Sequence, residues 1–142
     1  MKIRKATEKD ALRILELLNS DPNLVGDEDI KFSPYHVKEY LSSPITRVYI
    51  VEKDKKVIGL VISEFWKTAK YAYINQVVVD KDYRRRGIGK ALMKFIENLA
   101  KKEKMNIIFC FSEVDNKKTH KLFGKLNYKK GKRFFFFSKS LR

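Results

Sequence analysis

The chain has 142 residues, 44% of them apolar, and carries 32 Lys and Arg against 17 Asp and Glu, a formal net charge of +15. That length and apolar content suit one globular domain burying roughly two thirds of its unfolded surface. No apolar run reaches the roughly 18 residues of a membrane span, and the N-terminus lacks the apolar core of a signal peptide, so a cytoplasmic protein with no membrane partner is expected. The single cysteine, Cys110, excludes an internal disulfide, and with His36 and His120 far apart in sequence no metal site is expected. The positive excess favours anionic partners such as phosphorylated cofactors, RNA or acidic protein surfaces. No signature of a nucleic-acid-binding module accompanies it.

Residues 1–5 alternate enough for a first strand, and Thr7 with Asp10 forms a capping-box-like start to a helix whose apolar stripe is Ala11, Ile14, Leu15 and Leu18. Asp21, Pro22 and Asn23 break it. The stretch 24–44 is irregular, with Gly26, the acidic triplet Asp27, Glu28 and Asp29, and a short helix over 36–41 capped at Ser33 with Pro34 at its first position. The triplet reads as a solvated loop or as a rim attracting a protonated amine. Segments 46–53 and 57–65 are rich in β-branched residues and are separated by Asp54, Lys55 and Lys56, which predicts a hairpin, and 71–79 is the next strand. A helix follows with the face Ile88, Leu92, Phe95, Ile96 and Leu99, closed by cations at 101–104 where the helix dipole favours them. The strand expected at 105–112 comes after that helix, so it should run parallel to 71–79. Asp115 or Asn116 caps a last helix to Leu126, and a turn with a Phe-rich strand is expected over 128–138. Phe134, Phe135, Phe136 and Phe137 cannot all face one core, which leaves a second subunit, and so a homodimer, open. There are no repeats or linkers, and one α/β domain over 1–142 accounts for the whole chain.

Between the 71–79 strand and its helix lies Arg84, Arg85, Arg86, Gly87, Ile88, Gly89, Lys90. Exposed amides at a helix N-terminus, ringed with positive charge, form an anion site. Two common phosphate loops do not fit: the third glycine of a dinucleotide fingerprint is here Leu92, and a Walker loop would need glycine at Arg84 and Ser or Thr at Ala91. The loop instead resembles the pyrophosphate-binding loop of the GNAT acetyltransferase superfamily, whose pattern is Arg or Gln, two residues, Gly, one residue, Gly or Ala. Arg84, Gly87 and Gly89 match it, and the strand ending Val77, Val78, Val79, Asp80 and the helix opening Lys90, Ala91, Leu92 are similar to that family as well.

The resemblance implies a mixed, mostly antiparallel sheet with helices on both faces and acetyl-coenzyme A as cofactor. Arg84, Arg85, Arg86, Gly87, Ile88, Gly89, Lys90 and Ala91 would hold the pyrophosphate. Val77, Val78 and Val79, beside a bulge, would hold the pantetheine, with Asn116 and Phe123 also at the cofactor. The implied reaction moves an acetyl group directly to a primary amine. No carboxylate lies within 71–79, and Tyr73, eleven residues before Arg84, stands where many members carry a glutamate. The N-terminal acetyltransferase branch has a tyrosine there that orders a water, so a protein or peptide N-terminus is the acceptor this resemblance favours, with Glu64 as reserve base. Phe123 stands where many members have a tyrosine acid, and Leu126, Asn127 and Tyr128 alter the family's Leu-Gly-Phe. A small amine as acceptor, and a weakly catalytic or non-catalytic coenzyme-A-binding module acting on RNA or the ribosome, are the alternatives.

Overall fold

The computed structural model describes residues 1–21 and 31–141. Its strands are β1 (Lys2–Lys5), β2 (Thr46–Lys53), β3 (Lys56–Trp66), β4 (Tyr71–Val79) and β5 (Ile107–Phe109), and its helices are α1 (Ala11–Ser20), α2 (Pro34–Ser42), α3 (Ile88–Lys102) and α4 (Lys117–Lys125). The strands form one mixed sheet in sequence order, antiparallel from β1 through β4 and parallel between β4 and β5. That is the α/β architecture expected from the sequence. The chain divides into two compact units, Met1–Cys110 and Phe111–Arg142.

Local chemistry sets most element ends in the first unit. The Thr7 amide donates to the Asp10 carboxylate at 2.8 Å, closing a single 3-10 turn that runs into α1. Arg4 clamps the same carboxylate through two hydrogen bonds of 2.8 and 2.9 Å. Ser33 precedes Pro34 at the start of α2, where proline's missing N–H has no helical partner to lose. Asp54 and Lys55 both take positive φ, the conformation a two-residue hairpin loop requires, and Lys53 pairs with Lys56 across it. The acidic triplet at 27–29, with Pro22, Asn23 and Gly26, lies outside the described residues.

The sheet's two faces are covered by different helices. Ile14, Leu17 and Leu18 of α1 and Val37 of α2 are buried with Val48, Ile50, Leu60, Ile62 and Val78 on one face. On the other face, α3 buries Ile88, Leu92, Met93, Ile96 and Ala100, and Phe95 meets the ring of Tyr49 at 4.7 Å. At Gly59 of β3 the helix comes close: a Cβ there would lie 3.2 Å from Ile88 Cγ2.

Two expectations are corrected. The strand expected over 105–112 is only three residues long. The Phe-rich strand expected within 128–138 is absent, and 126–141 hold neither helix nor strand. Four consecutive phenylalanines have no polar alternation to choose a face, and the unit Phe111–Arg142 offers no strand to pair with them; a lone strand does not hold in water. Phe134, Phe135, Phe136 and Phe137 are all exposed. Within that unit Asn116 accepts from the Thr119 amide at 3.3 Å to start α4, and Asn127 takes positive φ just beyond its end, a place glycine usually fills.

Candidate functional site

β4 delivers the chain to the basic loop through a tight sequence of contacts. The Asp80 amide donates to Ile58 O at 2.8 Å, and its carboxylate accepts from the Asp82 amide at 3.0 Å, which caps a 3-10 turn over Lys81–Tyr83. Arg84 then folds back, its Nε donating to Val79 O at 3.1 Å. Arg85 and Gly87 both take left-handed backbone, φ 63 and φ 76, and these two reversals aim the chain into α3. The first bond of α3 runs from the Ala91 amide to Gly87 O at 3.0 Å, so the amides of Ile88, Gly89 and Lys90 have no acceptor within the helix. Arg84, Arg85, Arg86 and Lys90 are exposed. Among the described residues, ion pairs engage Arg4, Arg13, Arg47, Lys56 and Lys67 and leave these four cations out.

This loop fits a pyrophosphate. Nothing lies within 4 Å of where a Gly87 Cβ would be, so the backbone there is open to an anion, and the helix N-terminus adds partial positive charge.

A second opening runs down β4. Its parallel partner reaches only as far as the Tyr73–Phe109 pair. Beyond it, Gln76, Val77, Val78 and Val79 keep β3 on one side, through Ile62, Val61, Leu60 and Gly59, and have no strand on the other among the described residues. Val78 buries its side chain in the core, so only its backbone is available to a ligand. The bulge expected beside 77–79 lies instead at Asn75, the extra residue where Ile62 pairs with Gln76 and Ser63 with Ile74. Adjacent residues of a regular strand point to opposite faces, and the extra residue at Asn75 lets both polar side chains share one.

A bulge turns two successive side chains to the same face. Here it sets Asn75 and Gln76 on the face that carries Tyr40, Glu64 and Tyr73. Glu64 stands directly across the ladder from Tyr73, a pairing of the two candidates that sequence spacing did not reveal. Its carboxylate accepts from Asn75 Nδ2 at 2.5 Å and from Trp66 Nε1 at 3.2 Å, and it enters no ion pair among the described residues. Trp66 stacks on Tyr71 at 6.1 Å, and the rings of Tyr71 and Tyr73 lie 5.3 and 5.4 Å from Phe109.

Burial, and then the Glu64 charge, raise the Tyr73 hydroxyl above its ordinary pKa. Burial also raises Tyr40, partly offset by the Gln76 amide. Both phenols therefore stay protonated near neutrality and can donate but not remove a proton. Burial pushes the Cys110 thiol up to about 11, leaving it uncharged. Of the side chains gathered here, Glu64 is the one carboxylate, the group type that serves as a general base. Tyr40, Asn75 and Gln76 escaped the sequence reading, although an Asn-Gln pair inside an otherwise apolar strand was the available signal.

Asn116 and Phe123 belong to the second unit. Asn116 spends its side-chain oxygen on the α4 cap, and the Phe123 ring lies 5.0 Å from that of Tyr128.

Comparison with known proteins adds three findings on fold and one on family. The chain is similar to the aminoglycoside acetyltransferase meta-AAC0020 from an uncultured soil metagenomic sample, in complex with sisomicin (18% identity, TM-score 0.79, covering 99% of this chain and 96% of that one). It is similar to AAC(6')-Iy in complex with the bisubstrate analogue CoA-S-monomethyl-acetylneamine (16% identity, TM-score 0.79, 98% and 97%). It is also similar to the ribosomal-protein-alanine N-acetyltransferase from Brucella melitensis biovar Abortus 2308 (15% identity, TM-score 0.77, 98% and 100%). At these identities the likeness is one of fold. The model of the acetyltransferase (GNAT) family, whose members use acetyl-coenzyme A, matches residues 11–128, and the chain accordingly belongs to the GNAT family of acetyltransferases.

Proposed function

We propose that the protein, as one domain over 1–142, transfers an acetyl group from acetyl-coenzyme A to a primary amine, with a protein or peptide N-terminus as the acceptor. The observation that carries the reading is the Glu64–Tyr73 pair at the bulge, beside the gap along β4. Acetyl-coenzyme A supplies an activated thioester. Amides of Ile88, Gly89 and Lys90 and the charges of Arg84, Arg85, Arg86 and Lys90 hold its phosphates, and backbone groups of Val77 and Val79 hold its pantetheine. The amine nitrogen bonds to the acetyl carbon as the thioester C–S bond breaks, and coenzyme A leaves as thiolate, to be protonated by solvent. Glu64 accepts the proton lost by the amine, directly or through a water that the Tyr73 hydroxyl orients. Asn75 and Trp66 keep the carboxylate in place through neutral hydrogen bonds, and among the described residues it enters no ion pair, so its charge can meet an incoming ammonium.

The acceptor class follows from magnitudes. An α-amine with pKa near about 8 is already roughly a tenth neutral at pH 7, whereas a lysine near about 10.4 is neutral only a few times in ten thousand. A weak, water-relayed base therefore suffices for an α-amine and much less for a lysine, which would lean on the Glu64 carboxylate far more. The discriminating experiment follows thiol release with a panel of N-terminal peptides, lysine peptides and small amines such as aminoglycosides. Preference for free α-amines is expected; preference for either other class would replace the acceptor. Tyr73→Phe should lower kcat/KM by more than about threefold, roughly 0.65 kcal/mol, and a smaller loss would remove Tyr73 from the reaction.

A further inference from the structure

Among the described residues the cations of the basic loop enter no ion pair, and the turn before the loop is tied to distant parts of the chain. Asp80 is 8% exposed, and its two carboxylate oxygens divide their work. Oδ1 accepts from the Asp82 amide at 3.0 Å and so shapes the turn. Oδ2 takes Arg13 Nη2 of α1 in a short charged hydrogen bond, with Lys56 Nζ of β3 at 3.6 Å. The Arg13 guanidinium is fixed in turn: its Nε donates to Val57 O at 3.0 Å and its Nη1 meets Glu16 at 3.0 Å. The Tyr83 ring at the end of the turn has two cations near it, 5.5 Å from Lys56 Nζ and 5.3 Å from Arg86 Cζ. Planar Arg held at three points is far less mobile than a surface pair.

We propose that Arg13 and Asp80 are a positioning pair for cofactor binding, fixing the turn Lys81–Tyr83 so that Arg84, Gly87 and the first amides of α3 present one surface to the pyrophosphate. The proposal rests on the reading of this loop as the cofactor's phosphate site. Neither residue touches the cofactor; each acts through the turn. The hydrogen bonds that hold Asp80 also draw its pKa below the usual carboxylate range, first through the Asp82 amide and then through Arg13, so the pair persists as an ion pair at neutral pH.

A simple charge effect predicts something different, and this separates the two ideas. Asp80 lies near where phosphates would bind, so if it acted only by its field, Asp80→Asn would remove repulsion and tighten binding. As a tether, its loss weakens binding. Titration calorimetry of the full chain with acetyl-coenzyme A should give affinities about tenfold weaker for both Asp80→Asn and Arg13→Gln, the scale of one charged hydrogen bond. The double variant should be no weaker than the worse single one, since both break the same contact. KM for acetyl-coenzyme A should rise in parallel, with kcat and the amine KM moved less than about twofold. Glu16→Gln, on the exposed arm of Arg13, should bind within about twofold of the wild type. Should Arg13→Gln not fold, Arg13→Lys carries the test, keeping the charge but unable to reach Asp80 and Val57 O together, and should weaken binding between about two- and tenfold. Tighter or unchanged binding in Asp80→Asn, additive losses in the double variant, or unchanged binding in both Arg13 variants overturns the positioning pair while the loop assignment stands. Failure of the wild type to bind acetyl-coenzyme A overturns both.

Discussion

Tyr73 and Glu64 face each other across one rung of the sheet. The tyrosine hydroxyl is pushed above its ordinary pKa of about 10, so it stays an O–H donor throughout the working range. The rate should therefore follow the acceptor and not the phenol. With a peptide α-amine, kcat/KM should climb with pH as the ammonium loses its proton and level off near about pH 8; with lysine peptides the climb should continue toward about pH 10. Because the Tyr73 shift is upward, its deprotonation adds no descending limb below about pH 10, and a fall in rate between pH 8 and 9 that Tyr73→Phe abolishes would contradict this assignment. Glu64→Gln should lower kcat by about a hundredfold with cofactor affinity intact, as expected when a general base is lost. The resemblance to the family picked out Tyr73, since its motif is counted back from Arg84 along the chain and needs no tertiary information. That Glu64 is its partner depends on strand register, and the register turns on a single extra residue, Asn75, whose bulge no periodicity encodes.

The elements most legible in the sequence are those whose ends carry their own chemistry. Thr7 with Asp10, Ser33 with Pro34, the Asp54-Lys55 hairpin and Asn116 each close or open an element through contacts a few residues away. β5 and the tail were harder, because what they pair with, not what they contain, decides their length. Two glycines of the sheet and loop test how α3 is placed. Gly59 matters for space: its missing Cβ would sit 3.2 Å from both Ile88 Cγ2 and Val78 O and 3.5 Å from Leu92 Cδ1. Gly87 matters for backbone shape, with φ 76 and empty surroundings. Gly59→Val should force the first turn of α3 away from β3, lowering stability by about 1–3 kcal/mol in urea unfolding. Gly87→Ala should cost about 1 kcal/mol from its left-handed backbone. Both should weaken acetyl-coenzyme A binding, since both disturb the helix N-terminus; a Gly59→Val protein with lost stability but wild-type affinity would separate helix seating from the anion site.

Charge acts over the whole molecule and is unevenly spread. Residues 111–142 hold ten Lys and Arg against two acids, a net +8 in 32 residues, and the remaining +7 is diluted over the first 110. The cations at 84–86 are exposed and lie outside the described ion pairs, so their pull on a polyanion passes largely through solvent. Solvent-exposed attraction is screened within about 10 Å at 0.1 M salt and about 3 Å at 1 M. Affinity for acetyl-coenzyme A should therefore fall several-fold between about 0.05 and 0.5 M KCl, mainly through slower association, since steering is the most salt-sensitive step. Arg85→Gln with Arg86→Gln should bind more weakly at low salt and show a flatter salt dependence, converging on the wild type as screening grows. If the slope is unchanged in that variant, the steering field belongs to the molecule at large. The natural comparison is then a charge-neutralised surface at Lys129, Lys130, Lys132 and Arg133. A flat response to salt in the wild type would mean that the phosphates are held by direct hydrogen bonds from the first amides of α3, with little contribution from the exposed cations.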